Sequence, residues 1–151
     1  MEKRSWHSTS PAATRTIGAE IWRLRGLTTV IALSGDLGAG KTELVKGLAQ
    51  AAGYGGAVTS PTFTLCQEYP ISEGILYHVD LYRLSGPEDF EGIGLWELLP
   101  PDGGVVLIEW AEKAAGCLPV DAIEVVLRNG TEPDDRWVEA LFPGDGGGSD
   151  G

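Results

Sequence analysis

Residues 28 to 50 read TTVIALSGDLGAGKTELVKGLAQ. The apolar run Val30-Ile31-Ala32-Leu33 stops at Gly35, and Gly35-Asp36-Leu37-Gly38-Ala39-Gly40-Lys41-Thr42 follows. Beyond it, apolar residues recur at Leu44, Val45, Leu48, Ala49 and Ala52, the spacing of one helical face. Strand, glycine-rich turn and helix are the context in which G-x-x-x-x-G-K-[ST] forms a phosphate-binding loop.

The residue types suit that chemistry. Backbone N–H groups converge on a polyphosphate only where the chain curls tightly, which Gly35, Gly38 and Gly40 permit. The helix that starts near Lys41 turns its positive end toward the same anion. Lys41 reaches the β- and γ-phosphates, and the Thr42 hydroxyl holds Mg²⁺. Asp36, Leu37 and Ala39 complete the cradle through their backbone.

At 151 residues the chain suits one domain with a real core and leaves little room for a lid. The hydrophobic content of 42% is that of a globular protein. No apolar run is long enough to span a bilayer, so no membrane partner is expected. The start, MEKRSWHSTSP, lacks the apolar stretch of a secretory signal, and a cytoplasmic location is expected. Cys66 and Cys117 have no motif spacing and read as reduced thiols. The net charge of −11 is unevenly spread: residues 80 to 151 carry four basic and sixteen acidic side chains. Such a surface repels phosphate backbones, which argues against unaided tight binding of nucleic acid.

Working outward, residues 1 to 10 read as disordered. From Pro11, Ala13, Ile17, Ile21 and Leu24 fall on one helical face, and Gly26 ends the run. Arg15, Arg23 and Arg25 then lie mostly on the outer side. After the second helix, Val58 to Thr64 places hydroxyls around Pro61 ahead of an extended stretch from Thr64 to Tyr69. Loops of this kind often touch the γ-phosphate or its metal, and Ser60 and Thr62 serve equally well as ordinary turn residues. Residues 75 to 82 read as a strand with Asp80 near its end, and residues 87 to 99 as two short helices interrupted by Gly92 and Gly94.

Val105-Val106-Leu107-Ile108 runs straight into Glu109-Trp110. Four consecutive apolar residues suit a strand buried on both faces of a parallel sheet. A carboxylate at its end lies at the carboxyl edge of the sheet, where ligands bind in open α/β folds. The chain thus offers two carboxylate-tipped strands, Asp80 and Glu109. One orders a Mg²⁺ shell and the other the attacking water or a switch loop; the alternative for each is a capping or surface acid. Residues 122 to 128 and 136 to 142 suggest an antiparallel hairpin around Asn129-Gly130. Residues 143 to 151, PGDGGGSDG, read as a disordered tail, leaving residues 11 to 142 as the domain.

Four motifs in order, GDLGAGKT (35–42), SPTFTL (60–65), HVDLYRL (78–84) and IEWAEK (108–113), resemble the TsaE family of tRNA threonylcarbamoyladenosine (t⁶A) biosynthesis. The likeness covers residues 14 to about 139. It implies an α/β fold, a P-loop NTPase-like three-layer sandwich with a mostly parallel central sheet and a C-terminal antiparallel hairpin. It implies a weak, partner-dependent ATPase that binds ATP or ADP with Mg²⁺ and acts on the TsaD and TsaB proteins. It is not itself the threonylcarbamoyl transferase, and tRNA is met only through the complex. By motif, Lys41 contacts phosphates, Thr42 and Glu109 hold Mg²⁺, and Ser60, Thr62 and Asp80 form the switch and catalytic region. Trp110 flanks the site. Ala111 departs from the proline that the family often has after Glu-Trp. A small-molecule kinase and a non-hydrolysing nucleotide-sensing module are the alternatives. A signalling GTPase needs an Asn-Lys-x-Asp motif for guanine, and no such tetrapeptide occurs.

Overall fold

The structure, a computed structural model, describes residues 2–35, 40–58, 66–81, 104–111, 118, 119 and 121–143. Strand β2 (Val30–Gly35) is its axis. Val30 to Leu33 are buried because the strand is covered on both faces and both edges. On one side it pairs in parallel with β5 (Gly104–Glu109), setting Leu33 opposite Glu109. On the other it pairs in parallel with β6 (Ile123–Asn129), setting Gly35 opposite Leu127.

The remaining strands are β1 (Glu2–Ser8), β3 (Cys66–Ile71), β4 (Gly74–Asp80) and β7 (Arg136–Phe142). They complete a seven-stranded sheet in the order β1-β7-β6-β2-β5-β4-β3. The expectation of a mostly parallel sheet holds for the central strands β6, β2, β5 and β4; β3 at one edge and β7 and β1 at the other are antiparallel. The expected hairpin is β6–β7, closed by Gly130 N donating to the Asp135 carbonyl at 2.9 Å.

The helices α1 (Pro11–Leu24) and α2 (Lys41–Ala52) cover one face. Their Ile17, Ile21, Leu44, Val45 and Leu48 pack on Ile31, Leu33, Leu76, Leu107 and Leu127 of the sheet. The opposite face carries Val30, Ala32, Val79, Val106 and Ile108. The helices expected within residues 87 to 99, and with them the third layer of a sandwich, lie outside the described residues, as does the tail from residue 144. The two helices meet backbone to backbone. A Cβ at Gly18 would come 2.1 Å from the Leu44 carbonyl oxygen, and one at Gly47 would come 1.8 Å from that of Arg15.

Two expectations are corrected. Residues 1 to 10 were expected to be disordered, yet Glu2–Ser8 form β1 against β7. Trp6 packs on the main core, and buried Ser8 bonds to Thr14 Oγ1 at 2.7 Å, fixing the strand to α1. Ser10 then caps α1 by accepting from Ala13 N at 3.0 Å, with Pro11 in the first turn. Arg25, expected on the outer side, is only 8% exposed. Its guanidinium lies 3.9 Å from the Trp22 ring centre and donates to Glu73 at 2.5 Å and to the Thr28 carbonyl at 2.8 Å. Trp22 fills the core position, and Leu24 is left 37% exposed.

Candidate functional site: the carboxyl edge of the sheet

Strand β2 delivers Gly35 to the carboxyl edge of the sheet, and α2 begins at Lys41. Gly35 has φ +145°, and a Cβ there would come 2.1 Å from the Leu127 carbonyl oxygen of β6. Only glycine meets both demands. Gly40, at φ +86°, is the N-cap of α2 and supplies no side-chain cap. The first-turn N–H groups therefore face the turn uncapped by a side chain, the arrangement that suits an anion. The Arg136 side chain stands beside Gly40, its Nε 3.4 Å from where a Cβ would lie.

Lys41 is folded back onto its own turn and is 7% exposed. Its Nζ donates to the Gly35 carbonyl at 3.3 Å and lies 3.8 Å from the centre of the Trp110 ring. The ring face attracts the ammonium through its quadrupole. Trp110 takes φ +59°, the one described residue other than glycine with positive φ. A side chain in that region costs on the order of 1–3 kcal/mol, and such strain gathers at functional sites. Thr42 follows Lys41, half-buried in the first turn of α2.

The two carboxylates stand at the tips of neighbouring parallel strands, Asp80 opposite Glu109 in the β4–β5 register. Glu109 is 3% exposed, and its backbone carbonyl accepts from Leu81 N at 3.1 Å. Its Oε2 is hydrogen-bonded to Nε2 of His78, which is 0% exposed. His78 Nδ1 meets the Tyr69 hydroxyl at 2.9 Å, and that hydroxyl donates to Gln67 Oε1 at 2.7 Å. The Tyr69 ring stacks on Tyr54, just beyond α2, with centres 4.6 Å apart.

Glu43 also lies in the first turn of α2. Burial raises its pKa, but hydrogen bonds and charge from Lys46 and Arg15 outweigh that and hold it below the ordinary value. The bonds are Arg15 Nη1 to Oε1 at 2.5 Å and Lys46 Nζ to Oε2 at 3.1 Å. Glu43 thus joins α1 to α2.

The structure brings Gly35, Gly40, Lys41, Thr42, Asp80, Glu109 and Trp110 to one sheet edge. Asp36, Leu37, Gly38, Ala39, Ser60 and Thr62 lie outside the described residues. By sequence, His78 has no role beyond its place in HVDLYRL (78–84); the clue available is its place two residues before a carboxylate on a strand. A cavity of about 590 Å³ lies elsewhere, lined by Arg4, Arg25, Leu27 and Asp121 at the amino end of β2, away from these residues.

Hard oxygen donors, the Thr42 hydroxyl and the Glu109 and Asp80 carboxylates, suit Mg²⁺. Among the described residues no group of three or more His, Cys, Asp or Glu forms a metal cage. No helix among the described residues is long and apolar enough to cross a membrane.

The sequence model of the family described as "Threonylcarbamoyl adenosine biosynthesis protein TsaE" matches residues 8–137. The chain is similar to the Bacillus subtilis tRNA threonylcarbamoyladenosine biosynthesis protein TsaE, 35% identical over 91% of this chain and 85% of that protein. It is 43% identical to the Treponema pallidum protein of the same description, over 80% of this chain and 88% of that one. The match to the Haemophilus influenzae protein is 49% identical and spans 60% of this chain and 56% of that one. The crystal structure of Bacillus subtilis YdiB superposes with a TM-score of 0.72 at 30% identity, covering 95% of this chain and 87% of that one. The chain belongs to the TsaE family of tRNA threonylcarbamoyladenosine biosynthesis proteins.

Proposed function

We propose that the chain binds Mg·ATP at the carboxyl edge of its sheet and hydrolyses it as an accessory step of t⁶A biosynthesis, acting on the TsaD–TsaB complex in the cytoplasm. The observation that carries this reading is the placement of Lys41. It sits at the start of α2, against the Gly35 carbonyl, with Glu109 at the tip of the strand paired to β2.

In this reading the turn from Gly35 to Gly40, with Asp36, Leu37, Gly38 and Ala39 between, cradles the phosphates by its backbone. Lys41 exchanges the Gly35 carbonyl and the Trp110 ring for β- and γ-phosphate oxygens. Thr42 and Glu109 hold Mg²⁺, which when bound offsets charge on the β- and γ-phosphates. Asp80, one strand further out, orients the attacking water or the switch segment that includes Ser60 and Thr62. Trp110 flanks the nucleotide, and ADP remains after hydrolysis. The net charge of −11 favours contact with tRNA only through partner proteins.

Phosphate release from Mg·ATP, measured with the chain alone and with TsaD and TsaB added, tests the proposal. Slow release alone and faster release with the partners is expected. Absence of release under both conditions contradicts it.

A further inference from the structure

Glu109 does not stand at the sheet edge unsupported. Its Oε2 is bonded to His78 Nε2, His78 Nδ1 to the Tyr69 hydroxyl, and the Tyr69 hydroxyl to Gln67 Oε1. The row crosses three strands, β5, β4 and β3, on the face that α1 and α2 cover. His78 is fully buried, so its ring cannot turn away from Glu109 without leaving both nitrogens unpaired in the interior. Tyr69 is held in turn by its stack on Tyr54. A core of this class has no need of an imidazole between Leu76 and Asp80; an aliphatic side chain would fill the volume without polar atoms to satisfy.

We infer that His78, braced by Tyr69, is a positioning residue that fixes the Glu109 carboxylate for Mg²⁺. With Oε2 engaged, Oε1 is the atom presented to the cation, and the plane of the carboxylate is set before metal arrives. Groups that hydrogen-bond to a metal-ligating side chain orient it and typically change metal affinity by about 10–100-fold when removed. The inference rests on the nucleotide-site reading above and adds residues which that reading does not use.

The test compares His78→Asn with His78→Gln. Gln places an amide nitrogen near the position of Nε2 and keeps a donor for Glu109. Asn is polar too but too short to reach. ADP binding is measured by calorimetry as Mg²⁺ is titrated and again in EDTA, with no hydrolysis involved. His78→Asn should raise the Mg²⁺ concentration at half-maximal enhancement of ADP binding by about 10–100-fold. His78→Gln should stay close to wild type, and both should bind metal-free ADP as wild type does. Tyr69→Phe, which keeps the ring and its stack, should raise the Mg²⁺ requirement by a smaller factor.

A folded His78→Asn protein with the wild-type Mg²⁺ requirement overturns the inference. So does an equal loss in the Asn and Gln variants, which is the mark of a merely structural histidine. Should neither His78 variant fold, Tyr69→Phe decides: an unchanged Mg²⁺ requirement overturns the inference, and a raised one supports it. Wild-type protein that binds ADP equally well with Mg²⁺ and with EDTA overturns this inference, and wild-type protein that binds no ADP under either condition overturns the nucleotide-site reading itself.

Discussion

Asp80 and Glu109 are register partners at the ends of the parallel strands β4 and β5, so both side chains leave the sheet on the face that α2 covers. Glu109 is one strand from β2 and the phosphate turn; Asp80 is two. Glu109→Gln keeps an oxygen and a donor beside His78 and removes the charge. It should weaken Mg·ATP binding at least about tenfold and metal-free ATP binding little. Asp80→Asn should leave Mg·ATP binding near wild type and slow turnover by about 10²–10⁴-fold, the usual worth of a positioned acid or base. Calorimetry and phosphate release with TsaD and TsaB present separate the two, and the opposite pattern makes Asp80 the metal-site acid.

Lys41→Ala removes a buried ammonium whose contacts are the Gly35 carbonyl and the Trp110 ring. Gly35 is at the sheet edge and Trp110 packs only at the margin of the core on the opposite face, so circular dichroism and the unfolding midpoint without nucleotide should stay near wild type. Hydrolysis should fall at least about 100-fold, the order expected when a charge aimed at developing negative charge is lost. A large drop in thermal stability without nucleotide would place Lys41 in the fold rather than the site.

Gly47→Ala should destabilise the fold with no direct effect on the site. Its Cβ would come 1.8 Å from the Arg15 carbonyl oxygen, a backbone atom that cannot turn aside. Forcing the helices apart should cost about 1–3 kcal/mol, and at this chain length about 2–4 °C in midpoint per kcal/mol. Chemical denaturation reads it, and a variant as stable as wild type would show that α1 and α2 slide freely.

The Arg15–Glu43 pair should make stability depend on acid pH. Lys46 and Arg15 depress the folded-state pKa of Glu43 despite its burial. A depressed carboxylate contributes stability above its unfolded value, about 4.3, and loses that contribution as pH falls through the lower folded value. The stability gap between wild type and Arg15→Ala should therefore be full at pH 7 and close below about pH 4. A gap unchanged across that range would mean that Arg15 acts through packing alone.

The parts of this molecule that local sequence determines could be read in advance. Val30 to Leu33 announce the strand, the apolar face of α2 announces the helix, and Val105 to Ile108 announce the buried neighbour. Asn129-Gly130 marks the hairpin. Strand β1 was not legible because EKRSWHS is an edge strand in which only Trp6 and Ser8 turn inward, too few to show alternation. Arg25 was misplaced because its position depends on Glu73, 48 residues away. The His78–Glu109 bond was hidden for the same reason, since it is fixed by the β4–β5 register and not by spacing along the chain.

Whether this sheet edge is an adenine-nucleotide site is read most directly by calorimetry of ATP and GTP with Mg²⁺ on the wild-type chain. A single saturable site for Mg·ATP, weakened in EDTA and weaker for GTP, is the result predicted from the Gly35–Lys41 turn, Thr42 and Glu109. No binding of either nucleotide, or equal affinity for both, would contradict it.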